Sequence, residues 1–388
     1  MNENAKNMLR ELPSVEEELR KMKNILLSNL IMIGETPAPT FCEADRAEMI
    51  IDRLSKGGLE NCSTDEEGNA LGILGGESRK RNILISANLD TVFDETNDHT
   101  ITMKKDKVTG PGLSDNTIGL ALLASLPNFL DHLEISFKSN IILMGAAKSL
   151  GRGNNKGLQF FLDNSGIPIT AGICLEGVHL GRLSHSSIGM MRGEIECDVP
   201  KGYDWTRFGA VGAIDLLHKV ISDIESIPLP SSPKTSVVLG SINAGHTFNE
   251  IARKGILRFE IRSESKEMVD QIHDRISDIV METSIRAGTP VTLEKIAERS
   301  PGGIPFSHPL VRAAHGAMTA LGIEPRSMPS SSELAVFIEK EIPAIVVGLT
   351  DGYNLNEQDE EMLINPLFKG AAQIIGVLKA IDGGFEHE

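Results

Sequence analysis

Four short aliphatic runs, Ile83–Ser86, Ile141–Met144, Ile173–Leu175 and Ala344–Val347, limit more than anything else what this chain can fold into. Each is too brief and too evenly apolar to be one face of an amphipathic helix. The stretch from Thr117 to His132, between the first two runs, has helical patterning instead. Buried strands alternating with helices predict a mainly parallel sheet with helices on both faces. Where the strands end the sequence turns polar. Asn82–Ser86 runs into Ala87-Asn88-Leu89-Asp90-Thr91-Val92-Phe93, and a later strand ends in Gly145-Ala146-Ala147-Lys148. Between them stands Gly110-Pro111-Gly112-Leu113-Ser114-Asp115-Asn116.

Upstream, the first fifty residues read as helices broken at Thr36-Pro37-Ala38-Pro39-Thr40, and a helical pattern resumes over Cys42–Leu54. The middle of the chain changes style. Met190–Val199 alternates like a strand, Ala210–Ile227 is helical, and Thr235–Ile242 and Gly255–Ser263 are strands. Helix Glu264–Ala287 and strand Val291–Ala297 complete a β-α-β-β-α-β order. Ser300-Pro301-Gly302-Gly303 marks the return to the first domain. The expected division is therefore 1–188 with 301–388 as one domain, and 189–300 as an inserted lid.

A chain of 388 residues with a net charge of −16 and sixteen aromatic side chains is a poor partner for phosphate backbones, so nucleic acid is excluded as a ligand. No apolar run reaches the length of a membrane span. The N-terminus, Met1-Asn2-Glu3-Asn4-Ala5-Lys6, has no apolar signal region. Four scattered cysteines, Cys42, Cys62, Cys174 and Cys197, form no disulfide framework. These features predict a cytoplasmic protein.

Taken in order, these pieces resemble the cocatalytic zinc hydrolases of the aminoacylase, carboxypeptidase and peptidase T superfamily, a group that includes succinyl-diaminopimelate desuccinylase. Asn88-Leu89-Asp90-Thr91-Val92 matches a His-x-Asp-Thr-Val motif, and Gly110–Asn116 a Gly-x-Gly-x-x-Asp-Asp motif with Asp115 at the metal-bridging place. Ala147 and Lys148 stand where a Glu-Glu pair supplies the general base and a ligand. Leu175-Glu176-Gly177 fits the next acidic ligand. In the lid, Lys201-Gly202-Tyr203-Asp204-Trp205 with Phe208-Gly209 replaces a Gly-Gly-His-Ser segment, while Asn249-Glu250-Ile251-Ala252 and Glu260-Ile261-Arg262 fit two further motifs. The last histidine of the family falls on Asn356, with Asn354 as the alternative register, and its glutamate on Glu360.

The resemblance implies amide hydrolysis by a water held between two zinc ions, with a glutamate accepting its proton. Of five expected ligand places only Asp115 and Glu176 survive. Asn88 and Asn356 are weak substitutes for imidazole, and Ala147 cannot accept a proton. The expectation is therefore a site without its two zinc ions and with no metal cofactor, leaving room for at most a single divalent ion. Lys148 is expected to bring its ammonium to Asp115, Glu176 or both, and Asp90 to accept a hydrogen bond from the Asn88 amide. Otherwise Lys148 points to solvent and Asp115 caps the helix that begins near Thr117. The resemblance also implies a cis peptide at Asp115–Asn116.

Other polar groups complete the candidate list. Ser330-Ser331-Ser332-Glu333, with Ser331 the pocket candidate, otherwise reads as a polar turn into helix Leu334–Glu339. His179, His185 and His246 could act as acid–base groups; His246 and Asn249 lie in the lid turn. Arg262 could hold a substrate carboxylate or pair with Glu260 or Glu264. The function expected is a non-catalytic or divergent relative that keeps the interdomain cleft, binds a small peptide-like or acylated amino-acid ligand, and dimerises through its lid. The alternative is a working metal-dependent peptidase with an altered site using Asp90, Asp115 and Glu176. A third class is a hydrolase with different machinery in the same cleft.

Overall fold

A computed structural model describes residues 3–202, 206, 210–330 and 332–385. The chain divides into two compact units, one formed by Met1–Ser187 with Gly303–Glu388 and the other by Ile188–Gly302.

Unit 1 is built on an eight-stranded sheet. Its strands are β1 (Glu60–Thr64), β2 (Ala70–Leu74), β3 (Asn82–Asn88), β4 (Asn140–Ala146) and β5 (Ala171–Val178). Three more follow: β6 (Arg182–Ser184), β7 (Arg326–Ser327) and β8 (Ala344–Thr350). They lie in the order β1-β2-β4-β3-β5-β8-β6-β7. The four aliphatic runs recognisable in the sequence form the parallel centre β4-β3-β5-β8. β1 and β2 add an antiparallel edge, and β6 meets β8 antiparallel.

Alternation along each central strand feeds two separate cores. Ile83, Ile85, Ile141, Leu143, Ile345 and Val347 face helices Ile118–His132, Pro309–Ala320 and Ile364–Ile381. Their neighbours Leu84, Ile142, Met144 and Val346 face helices Lys156–Asn164 and Leu334–Glu339, where Leu158, Phe161 and Phe337 meet them. Because both faces are covered, these strands read as unbroken apolar runs rather than as polar–apolar alternation.

Helix Ala44–Lys56 carries Arg46, which is 1 % exposed. Its guanidinium donates to the Thr36 carbonyl through Nε and Nη2, at 3.1 and 2.6 Å, and to the Leu89 carbonyl at 3.0 Å. Burial lowers its pKa to about 10. The Pro37–Thr40 break seen in the sequence is thereby tied to the end of β3.

Unit 2 is a four-stranded antiparallel sheet in the order Thr235–Ala244, Lys254–Ser263, Gly189–Asp198, Val291–Arg299. Helices Ala213–Glu225 and Lys266–Ala287 supply Leu217, Val220, Ile272 and Ile276 to a core with Ile195, Leu257, Phe259 and Ile261. The chain order is β-α-β-β-α-β, as the sequence implied. Tyr203, Asp204, Trp205, Phe208 and Gly209 lie outside the described residues. Among the described residues no helix is long and apolar enough to cross a membrane.

Asn69, fully buried, donates to Asp65 Oδ2 at 2.6 Å and to the Gly157 carbonyl at 2.9 Å, and accepts from Ala147 N at 2.9 Å. Gly157 approaches so closely that a Cβ there would meet Asn69 Oδ1 at 2.2 Å. Asn69→Ala should cost about 2–4 kcal/mol in denaturant unfolding, because it strands a buried N–H and a buried carbonyl. In unit 2, hydrogen bonds from Lys266 and Lys295 lower the Glu298 pKa from 4.5 to about 2. That stabilisation is present above pH 4.5 and is lost as pH falls towards about 2. The lysines are about half exposed, which screens the effect to about 1 kcal/mol. Glu298→Gln should therefore lower Tm at pH 7, and the difference should close near pH 2.

Candidate active site

The candidate residues of unit 1 come from the C-terminal ends of β3, β4 and β5, and from the turn Gly110–Thr117. In an open α/β sheet, ligands bind at such strand ends. Asn88 closes β3 and is 3 % exposed. Its Nδ2 donates to Asp115 Oδ1 and to the Asp90 main-chain carbonyl, both at 3.0 Å. Its Oδ1 accepts from Asn116 Nδ2 at 2.9 Å, and Asn116 also donates to the Leu175 carbonyl at 2.7 Å, one residue before Glu176. Asn88, Asp115 and Asn116 thus form one buried chain of hydrogen bonds next to β5. The Asp115–Asn116 peptide is cis, as the resemblance implied.

Two expectations about this cluster are corrected. The Asn88 amide reaches the carbonyl of Asp90 and not its carboxylate. The Asp90 carboxylate instead accepts at Oδ2 from Thr40 Oγ1 (2.9 Å) and Leu150 N (2.8 Å), while Oδ1 is buried without a partner. Burial pushes its pKa up to about 7 against those two donors. Nor does Asp115 cap the following helix: Asn116 Oδ1 accepts from Gly119 N at 3.2 Å.

Lys148 requires the larger correction. Its ammonium goes to Glu67 Oε2 at 2.6 Å, on the turn between β1 and β2, and not to Asp115 or Glu176. Lys156 joins the same carboxylate at 3.0 Å. The backbone explains the direction. Lys148 has φ of 55°, and its N–H is held by Glu43 Oε1 at 2.9 Å, so the turn after β4 carries the side chain towards Glu67. Ala147 beside it is 1 % exposed.

The cation that does stand by the acids is Arg182, which no motif in the sequence marks. Its Nη1 lies 4.0 Å from Glu176 Oε1, and its charge also acts on Asp115. Burial raises the pKa of both carboxyls, and the charge of Asp115 raises Glu176 further. Arg182 also donates to Ser330 Oγ at 3.2 Å and Ser184 Oγ at 3.4 Å. Ser330 in turn bonds Ser332, whose turn leads into helix Leu334–Glu339 as the sequence suggested. Ser331 lies outside the described residues.

Asn356 and Asn354 are both exposed. The Asn356 N–H donates to Glu360 Oε1 at 2.7 Å, and the same carboxylate receives Ser114 N and Ser114 Oγ at 2.8 Å each. Glu360 therefore ties the last-histidine segment to the residue before Asp115. Asn354 turns to Asp359. His179 stands 3.6 Å from Asp351, and His185 bonds the Ile304 carbonyl at 2.7 Å. His246, Asn249 and Arg262 belong to unit 2. The first two are exposed in the turn before strand Lys254–Ser263, and Arg262 pairs with Glu260, which also takes Arg192 at 2.6 Å.

Comparison with known proteins places this geometry. Residues 207–287 match the peptidase dimerisation domain of the M20 group. No curated protein matches the sequence. Among solved structures, a tripeptidase from Staphylococcus aureus is 18 % identical with a TM-score of 0.75, covering 93 % of this chain and 99 % of its own. A di-peptidase from Saccharomyces cerevisiae is 14 % identical with a TM-score of 0.80, covering 97 % and 100 %. A dinuclear metal-binding peptidase of the M20 family from Bacillus subtilis is 15 % identical with a TM-score of 0.63, covering 93 % and 98 %.

The last of these overturns the expectation that no metal cofactor goes with this chain, since the fold is one that carries a pair of metal ions in that peptidase. Asp90 Oδ1 is a buried oxygen still without a partner, but among the described residues no three histidine, cysteine or carboxylate side chains come together in a group that could hold a metal ion. Asn88 and Ala147 bring neither imidazole nor carboxylate, and Asn88 is already bonded to Asp115. The donor set as a whole does not fit two zinc ions. The fold of the chain is nonetheless similar to that of these peptidases, and residues 207–287 match their dimerisation domain.

Proposed function

We propose that the protein binds a small peptide-like or acylated amino-acid ligand at the strand ends of unit 1 without hydrolysing it by its relatives' chemistry. Ala147 carries this reading. Attack by water on an amide needs a group that takes up the water's proton. A buried methyl group stands at the place the resemblance gives to that group. Its N–H is spent on Asn69 and its carbonyl accepts from Gly157 N at 3.2 Å. Lys148, the next residue, is an ammonium paired with Glu67 and cannot serve as the acceptor. The peptide-like ligand is supported by the tripeptidase and di-peptidase of the same fold. Its polar contacts would come from Arg182, Ser330 and Ser332. A cytoplasmic setting is supported by four free cysteines.

A second reading, metal-dependent amide hydrolysis through Asp90, Asp115 and Glu176, is favoured by the unpartnered Asp90 oxygen and the metal-binding relative. One experiment separates the two. The full chain is incubated with di- and tripeptides and N-acetyl amino acids in the presence of zinc, cobalt or manganese. Calorimetry follows binding and mass spectrometry follows products. The first reading expects saturable binding with no product above a protein-free control. Turnover that requires added metal and stops with chelator would overturn it and establish the second. Turnover indifferent to chelator would point to different machinery.

The dimerisation domain supports a homodimer. Strand Thr235–Ala244 is the edge of the unit 2 sheet and exposes Val238 and Ile242, with Ile214 exposed on helix Ala213–Glu225. An open, partly apolar edge of this kind pairs readily with a second copy about a twofold axis. Replacing Val238 and Ile242 together by Lys should convert dimer to monomer in light scattering. An unchanged mass would exclude this edge as the interface.

A further inference from the structure

The sheet carries a row of residues that runs through Arg182 to an arginine the proposed binding role does not use. Glu176 on β5 is in register with Gly348 on β8. β8 runs antiparallel to β6, with Val346 opposite Ser184 and Val347 opposite Leu183, which sets Gly348 opposite Arg182. Arg182 in turn is in parallel register with Arg326 on the edge strand β7. Residues in register across a sheet point to one face, so Glu176, Arg182 and Arg326 share it. Gly348 puts no side chain between the first two; a Cβ there would meet the His179 carbonyl oxygen at 1.9 Å.

Arg182 is thus served on one side only. Its Nη1 sits 4.0 Å from Glu176, outside hydrogen-bond reach, and its two bonds to Ser184 and Ser330 leave most of its N–H donors unused. A quarter of its side chain is exposed (25 %). Arg326 is exposed and finds no side-chain partner among the described residues. Two like charges on neighbouring strands in direct register repel. An anion seated between them removes that repulsion, and a planar carboxylate matches the guanidinium fork.

We propose that Arg182 and Arg326 form a recognition site for the free carboxylate of the bound ligand, at the β6–β7 edge of the unit 1 sheet. The proposal rests on the ligand-binding role above and narrows it to ligands that keep a carboxylate. The charges of Asp115 and Glu333 are both felt at Glu176, on the opposite side of Arg182 from Arg326. Three acids that close favour a single negative charge over a dianion such as phosphate. Arg326 is then a specificity residue, and Arg182 links the carboxylate site to the strand ends.

The test is titration calorimetry of the full chain with a panel of N-acetyl amino acids and their matching carboxamides, repeated with Arg326→Gln. Arg326 is exposed, so the variant should fold, and its melting curve checks this. The expected result is at least about tenfold tighter binding of acids than of carboxamides, falling to about twofold or less in the variant. Equal binding of acids and carboxamides overturns the carboxylate site while the ligand-binding role stands. So does a preference that survives Arg326→Gln. If no member of either series binds, both proposals fall.

Discussion

A carboxylate taken out of water must be met by donors or give up its charge, and the arrangement of unit 1 follows from how that demand is met residue by residue. Glu43 accepts the N–H groups of Phe41 and Lys148, Asp65 those of Glu67 and Asn69, and Asp382 those of Lys138 and Ser139. Glu360 does the same for Ser114 and Asn356. Glu43 and Glu360 each join two separate stretches of backbone, Asp65 closes its own turn, and Asp382 holds the 138–139 loop to the C-terminal helix, all by charge-assisted bonds. Asp90, Asp115 and Glu176 are the exceptions. They have fewer donors than their burial demands: burial raises the pKa of Glu360 as well, but Glu360 has two N–H groups and a hydroxyl around it, whereas these three acids do not. Groups left in that condition cluster where a ligand or ion completes the set.

The scaffold and the site therefore depend on different residues. Asn69, Glu43 and Glu360 hold the turns around Ala147 and Asp115, and none of them needs to touch a ligand to do so. Asn88 fits the same logic. Its amide satisfies Asp115 Oδ1 on one side and accepts from Asn116 on the other, a role an amide fills because it carries donor and acceptor together. A fold supported in this way can keep its strand ends in place while the groups pointing into the site change.

The parts legible in the sequence were those governed by local pattern. β3, β4, β5 and β8 were readable because burial on both faces removes polar residues from the whole strand, and the lid because its elements alternate at their own periods. Boundaries moved by a few residues, as where helix Ala44–Lys56 begins two residues after the reading of Cys42–Leu54. β6 and the edge strand β7 are three and two residues long and are defined only by their partners, so no periodicity marks them. Asn88, Asp115 and Asn116 were found because their places in motifs fix them. Arg182 was missed because its importance comes from register, through Gly348, and not from any motif.

The misplacement of Lys148 and the appearance of Arg182 are one physical lesson. Buried acids need a cation, and Lys148 is the cation nearest to them in the motif. The need was real, but proximity in sequence was the wrong measure. A residue two steps past a strand end, with positive φ and its N–H tied down by Glu43, is turned away from the strand's own face. A residue two strands away, in register across a glycine, points onto that face without any bend in the chain. The compact lysine ammonium is directed to one partner, Glu67, away from Asp115 and Glu176. The broad, weakly hydrated guanidinium instead spreads its donors over serine hydroxyls and still leaves some directed outward. Charge balance in such a site is thus decided by which cation the backbone directs to the acids, and Arg182 is directed to them where Lys148 is not.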